Sequence, residues 1–197
     1  MGKWIGIGIV VLVLLAGASG VSTYNSLVTL DQSVQAQWAQ VENVYQRRAD
    51  LIPNLVETVK GAAAFEQGTF TAVAEARAKV GQVNAGDIAN NPEAFAKFQQ
   101  AQDGLSSALS RLMVVVERYP DLKATQNFRD LQAQLEGTEN RIAVERMRFT
   151  QAAQAFNTKR MSFPTVLIAG FFGGRFNEKP YFKSQAGAET APKVDFK

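Results

Sequence analysis

The chain contains no cysteine and no histidine. Without thiols there are no disulfides, thiolate nucleophiles, iron–sulfur ligands or cysteine-bearing zinc sites. Without imidazole there is no His-based triad, no His metal ligand and no access to the commonest general base. The composition therefore argues against an enzyme and predicts no catalytic residues, no cofactor and no metal centre. A hydrolase built on this chain would have to work with serine, lysine or carboxylates. An excess of one charge is missing as well: 21 Lys and Arg against 18 Asp and Glu leave a net charge of +3. Nucleic-acid binding usually requires a basic patch on a clearly basic domain, so no nucleic acid is expected as a partner.

Charge is absent altogether from residues 4–21, "WIGIGIVVLVLLAGASGV". As a helix this run spans roughly 27 Å, close to a hydrocarbon core of about 30 Å. Ten of its residues are Ile, Val or Leu, each favouring insertion by roughly 0.3–0.6 kcal/mol near the bilayer centre. The first reading is a single transmembrane anchor in contact with membrane lipid. The rival is a cleaved signal peptide, with Lys3 ahead of an apolar stretch and Ala16-Gly17-Ala18 as an A-x-A cleavage pattern. The apolar run continues past Ala18, which favours the anchor. No Lys or Arg follows until Arg47, so the positive-inside rule places the N-terminus in the cytoplasm and the remainder outside. Gly2 and Gly6 have the spacing of a helix-packing face, a pattern frequent by chance in a glycine-rich segment.

Beyond the anchor, apolar residues recur at alternating spacings of three and four. One run is Leu27, Leu30, Val34, Trp38, Val41, Tyr45, Arg48, Ile52, Leu55 and Val59, continuing through Phe70, Val73, Arg77 and Val80. A second is Phe95, Phe98, Gln102, Leu105, Leu109, Leu112, Val116 and Tyr119. The third, Phe128 to Phe156 through Leu135, Thr138, Ile142, Glu145 and Phe149, predicts a helix over residues 123–158, about 54 Å long. Such repeats predict helices packed at coiled-coil-like angles. No segment outside the anchor alternates with period two. The expected fold is all-α: an elongated up-and-down bundle of three to four long helices after one transmembrane helix. Residues 81–93 read as a loop that ends with Asn91 as N-cap and Pro92 at the first helical position. Tyr119-Pro120 stops the second run, and the short connection makes the last two helices antiparallel neighbours.

The stretch "RRADLIPNLV", residues 47–56, sets charges and a proline inside the first run. The stripe keeps phase across Pro53 and no Gly, Asn or Ser precedes it to form a reversal, which favours a bend. Asp50 capping a new helix, with Pro53 in its first turn, is the alternative. Gly68-Thr69 is the next place to turn back. Arg48, Glu66, Arg77 and Glu145 occupy stripe positions where apolar residues belong. Either the stripe drifts to solvent there, or Arg48 is pinned to Glu145 or Glu139 inside the bundle and fixes helix register. Glu139 and Glu145, six residues apart, project from different sides of a helix, against a paired-carboxylate active site.

Three segments carry a specific resemblance: "YNSLVTLDQSVQAQWAQVENVYQRRADLIPNLVETVKG", "ERYPDLKATQNFRDLQAQLEGTENRIAVERMRF" and "FNTKRMSFP". The chain resembles the LemA family of bacterial membrane-anchored proteins. The matching motif residues are Arg47, Arg48, Asp50, Pro53, Asn54 and Lys60 in the first segment, with Tyr119, Pro120, Glu139 and Arg141 in the second. The resemblance implies structural roles for them and defines no catalytic residue. It also implies a membrane-tethered helical bundle that partners other membrane proteins, among them TPM-domain proteins and HtpX-type membrane proteases; self-association into a homo-oligomer is open. One departure stands out: the family tends to carry a Tyr and a His after "TVKG", where this chain has Ala62 and Phe65.

Residues 163–174, "FPTVLIAGFFGG", are apolar but too short to span a membrane as a helix. With Lys159 and Arg160 before and Arg175 and Lys179 after, the segment either folds over the end of the bundle or dips into a bilayer interface. Tyr181-Phe182 is expected to pack with it. The expected organisation is an anchor at 1–21, a bundle at 22–160, an apolar capping or interfacial segment at 161–183, and a disordered tail at 184–197. The expected role is a membrane-anchored, non-enzymatic scaffold or adaptor at the cell envelope, single-pass. The alternatives are an exported hydrolase and a cleaved, soluble envelope binding module.

Overall fold

A computed structural model describes residues 2–62, 66–83 and 88–183. Among the described residues six α-helices follow in order: α1 (Gly2–Ala62), α2 (Gln67–Val83), α3 (Pro92–Val116), α4 (Pro120–Lys123), α5 (Gln126–Met161) and α6 (Thr165–Phe171). Single 3₁₀ turns cover Ile88–Asn90 and Gly173–Phe176. No strand occurs among the described residues. The chain is all-α.

Helix α1 is one continuous rod of 61 residues, about 90 Å long at 1.5 Å per residue. It carries the apolar N-terminal run and the first heptad stripe without a break between them. The helix continues through Pro53, so the chain neither reverses there nor starts a new helix at Asp50. The reversal comes between Ala62 and Gln67, ahead of the expected Gly68-Thr69 position, and Ala63 to Phe65 lie outside the described residues. Helix α2 then returns antiparallel to α1, bringing Arg77 level with Ala49.

The loop expected at 81–93 is shorter than its sequence suggests, because α2 continues to Val83 and Ile88–Asn90 winds into a 3₁₀ turn that buries Ile88 and Ala89. Asn91 caps α3 as expected: its side chain accepts from the backbone N–H groups of Glu93 and Ala94, with Pro92 in the first turn. "PDLK" forms α4 as a separate turn, and α5 starts later than residue 123, at Gln126, where the Thr125 hydroxyl accepts from the Phe128 N–H. It runs on to Met161.

The heptad stripes close into two apolar clusters stacked along the bundle. The distal one joins Ile52, Leu55 and Val59 of α1 to Phe70 and Val73 of α2, Leu105 to Val116 of α3, and Phe128 and Leu135 of α5. The proximal one joins Leu27 to Tyr45 of α1 to Phe95 and Phe98 of α3, and Ile142, Phe149 and Phe156 of α5. Burying each large apolar side chain contributes about 1.5–3 kcal/mol. Trp38 anchors the proximal cluster, with ring centroids 5.2 to 5.6 Å from Phe98, Phe149 and Phe95; such pairs add roughly 0.5–1.5 kcal/mol each beyond area burial.

The C-terminal segment covers the proximal end of the bundle. Helix α6 packs Thr165 and Ala169 against α1 and α5. Gly173 at φ +54° turns the chain out of α6 in the left-handed region that favours glycine, and Phe176 is buried beneath. Residues 177–183 continue as an extended strap. Tyr181 and Phe182 do not pack with the α6 segment as expected. Phe182 stacks instead on the bundle rings of Trp38, Phe95 and Phe149, because the strap leads away from α6 along the side of the bundle. The tail expected from residue 184 onward lies outside the described residues.

Candidate functional site

Between the two apolar clusters lies a thin polar layer. On α1 it falls between Tyr45 and Ile52, on α3 between Phe98 and Leu105, and on α5 between Leu135 and Ile142. Its centre is Arg48, 1 % exposed. The Arg48 guanidinium donates through Nη1 to Ser106 Oγ and to Glu139 Oε1, each at 2.9 Å. Through Nη2 it donates to the side-chain oxygen of Gln102 and, at 3.4 Å, to the Gln102 main-chain carbonyl. It also lies 5.1 Å from the centroid of the Tyr45 ring. Burial raises the Tyr45 hydroxyl pKa above its usual value of about 10, against the opposing pull of Arg146 and Arg48.

Sequence periodicity explains why this layer exists. Arg48, Gln102 and Thr138 fill inward heptad positions, so helix geometry points them into the seam whatever their polarity. A buried guanidinium needs a counter-charge, and Glu139 supplies it from the rim with its side chain 45 % exposed. Of the two carboxylates weighed as Arg48 partners, Glu139 is the one engaged. Glu145 pairs with Arg148 on its own helix at 2.8 Å. The other two stripe charges are also held: Glu66 pairs with Arg118 at 2.8 Å, and Arg77 Nε donates to the Ala49 carbonyl at 3.1 Å. The stripe does not drift to solvent at Arg48.

The layer is suited to fixing register and unsuited to proton transfer. A guanidinium only donates and stays protonated, so Arg48 is no base for Ser106. Glu139 is committed to Arg48 at the rim. Arg48 Nε and Gln102 Nε2 are buried with no hydrogen-bond acceptor among the described residues. Nor do the described residues gather three or more acids into a metal-ligand set. An open groove between α2 and α3 is lined by Ala72, Ala76, Ala101, Gly104 and Ala108, with Glu75, Lys79, Gln82, Lys97, Gln100 and Arg111 along it.

Of the motif residues, Arg48 and Glu139 are brought together; the others are spread along the surface. Arg47, Asp50, Pro53, Asn54, Lys60, Pro120 and Arg141 are exposed and Tyr119 is half-buried. Asp50 accepts from Gln46 Nε2 at 2.8 Å, the Asn54 carbonyl accepts from Thr58, and Lys60 lies 3.8 Å from Glu57. Tyr119 and Pro120 start α4. Sequence reasoning missed a second buried polar cluster. Lys179, 1 % exposed, donates to Asp31 of α1 and to the side-chain oxygen of Asn90, and its ammonium lies 4.7 Å from the Phe156 ring centroid. Asn157 of α5 clasps the same strap: its Nδ2 donates to the Lys179 carbonyl and to Tyr181 Oη, and its Oδ1 accepts the Lys179 N–H, all at 2.9 Å. The available signal was an Asn on the inward face of the third run, one residue past Phe156.

The sequence pattern that defines the LemA family matches residues 37–196, taking in the Arg48 layer and the Asn157 clasp on the strap but not Asp31. The chain belongs to the LemA family. Among curated LemA-like relatives, the chain is 28 % identical over 184 residues to magnetosome proteins MamQ 1 and MamQ 2 of Paramagnetospirillum magneticum. The alignment covers 85 % of this chain and 67 % of each relative. Magnetosome protein MamQ of Magnetospirillum gryphiswaldense is 27 % identical over the same shares. The family match includes Arg48, Gln102, Glu139, Asn157 and Lys179, so the layer and the strap clasp both lie on the LemA portion of the chain.

Proposed function

We propose that this LemA-family chain is a non-enzymatic scaffold or adaptor, anchored in the cell membrane by one span, that binds other membrane proteins along its exposed helix faces. The observation that carries the reading is the continuity of α1. The apolar run of residues 4–21, its large side chains exposed, extends without a hinge into the core stripe of the bundle. With roughly 27 Å of α1 in lipid, roughly 60 Å remains as a rod projecting from the membrane. A rigid rod stapled by a buried polar layer suits holding partners at a fixed height. The positive charge at Lys3 supports a cytoplasmic N-terminus and an exported bundle. TPM-domain proteins and HtpX-type membrane proteases are the partner classes to test first, with a second copy of the chain as a further candidate.

Cross-linking in intact membranes, followed by detergent extraction and mass spectrometry, tests the reading. The expected result is a chain that leaves the membrane only with detergent and carries defined protein partners. A native N-terminus at Ser19, or labelling of the chain by serine-directed covalent probes, would turn the reading toward a released binding module or a hydrolase.

A further inference from the structure

Helix α6 has apolar residues on both of its faces. Thr165 and Ala169 face the bundle and are buried. The opposite side presents Leu167 at 64 % exposure and Phe171 at 86 %, with Phe163 at 81 % just ahead of the helix. Val166 and Phe172 are also open. A short surface helix in water would carry polar residues there. Exposed aromatic and aliphatic side chains clustered in this way mark an interaction surface.

Position identifies what the surface meets. Ile168, Phe171 and Phe172 line one side of an open apolar cleft whose other side is Gly17, Gly20, Val21 and Tyr24 of α1, where the apolar run ends. The Tyr24 ring sits 4.8 Å from Phe172 and 5.6 Å from Phe176. The exposed face of α6 is thus continuous with the exposed apolar surface of residues 4–15. At its edge Arg175 is exposed and stands 5.8 Å from the Tyr24 ring, and Lys159 is half-buried at the end of α5. Aromatic rings with cations beside them, level with the end of a span, match the chemistry of the headgroup boundary.

We infer that α6 is a lipid-binding foot: Phe163, Leu167 and Phe171 insert into the outer boundary of the same bilayer that α1 crosses, with Lys159 and Arg175 facing lipid phosphates. The inference rests on α1 spanning the membrane. Its consequence is mechanical. Contact at two places, the span and the foot, removes the rotation of the rod about α1 and sets which bundle face looks along the membrane.

The absence of cysteine makes the test direct. Full-length chain carrying Phe163→Cys, Leu167→Cys or Phe171→Cys singly, each at an exposed position, is spin-labelled and reconstituted in phosphatidylcholine–phosphatidylglycerol vesicles. Collision with oxygen is compared with collision with a water-soluble nickel complex. Leu12→Cys reports the span and Met147→Cys, on the exposed side of α5, reports water. The expected result is oxygen preferred several-fold over nickel at residues 163, 167 and 171, approaching the ratio at residue 12. A ratio at the foot equal to that at residue 147, with residue 12 in lipid, overturns the foot and leaves the anchor standing. Foot labels shielded from both reagents and coupled to each other overturn it in favour of a second copy. Residue 12 in contact with water overturns the anchor itself.

Discussion

Arg77 Nε donates to the main-chain carbonyl of Ala49 at 3.1 Å, and Ala49 is the residue whose helical partner would be the N–H that Pro53 lacks. Proline inside a helix removes the bond to position i−4 and crowds that carbonyl. Here a guanidinium from the returning helix α2 takes the vacancy. The proline that looks like a break in α1 therefore marks where α2 docks.

A double-mutant cycle tests this relationship. Arg77→Ala should destabilise the bundle by about 0.5–1.5 kcal/mol, the net value of one partly exposed hydrogen bond. In a Pro53→Ala background, where the N–H at position 53 serves Ala49, the loss from Arg77→Ala should shrink toward zero. Urea denaturation of the full chain in detergent, followed by far-ultraviolet circular dichroism, reads both. Equal losses in the two backgrounds would mean that Arg77 acts elsewhere.

The Arg48 layer should show opposite responses to single and paired replacement. Glu139→Gln strips the counter-charge from a guanidinium 1 % exposed. The loss should be about 2–3 kcal/mol, below the range for a fully buried pair because Glu139 is partly solvated. Gln102→Leu should cost about 1–3 kcal/mol by leaving guanidinium donors without an acceptor. Arg48→Met with Gln102→Leu should be closer to neutral, since an apolar layer replaces the polar one. Looser registry of α1 against α3 and α5 should then show as faster amide hydrogen exchange along those helices while helicity is retained.

Tyr45 predicts an alkaline limb of stability. Burial raises its folded pKa above the unfolded value of about 10. The folded state thus keeps its proton where the unfolded state has lost it. The contribution is complete below pH about 10 and falls away as pH rises from there through the folded value. Denaturation midpoints measured between neutral and alkaline pH should drop in the parent chain, and the drop should be smaller in Tyr45→Phe. An identical alkaline profile for the two proteins would assign the limb to other groups.

Asn157 holds the strap by three hydrogen bonds. Asn157→Leu should release residues 177–183 and raise tryptic cleavage after Lys183 several-fold, with a loss of about 1–3 kcal/mol for the unpaired Lys179 backbone groups; the Lys179–Pro180 bond itself resists trypsin. The long helices should survive, because Phe149 and Phe156 remain packed. Unchanged cleavage would show that Lys179 and Phe182 suffice to keep the strap in place.

Much of this architecture was legible because helices advertise their buried faces. Phe95, Phe98, Leu105, Leu109 and Leu112 repeat at three and four, and all are buried in α3; Asn91-Pro92 announces a helix start by chemistry local to the backbone. Arg48 was visible as a charge on an inward position, and Glu139 was one of two candidate partners. The choice between Glu139 and Glu145 was not legible, since it depends on the stagger of α5 against α1, a distance that spacing along one helix does not contain. The reversal ahead of Gln67 was missed for a related reason: the heptad phase carries on through a break that the backbone makes between rods.

The amino-acid order by itself determined that this chain is helical, where α3 begins, and that an apolar segment leads into a patterned rod, because each depends on residues within a few turns of one another. Tertiary structure alone decided that Arg77 serves the carbonyl opposite Pro53, that Lys179 is buried against Asp31 and Asn90, and that α6 lies beside the end of the apolar run. Those are contacts between residues far apart in sequence, fixed by how packed rods slide and turn against one another.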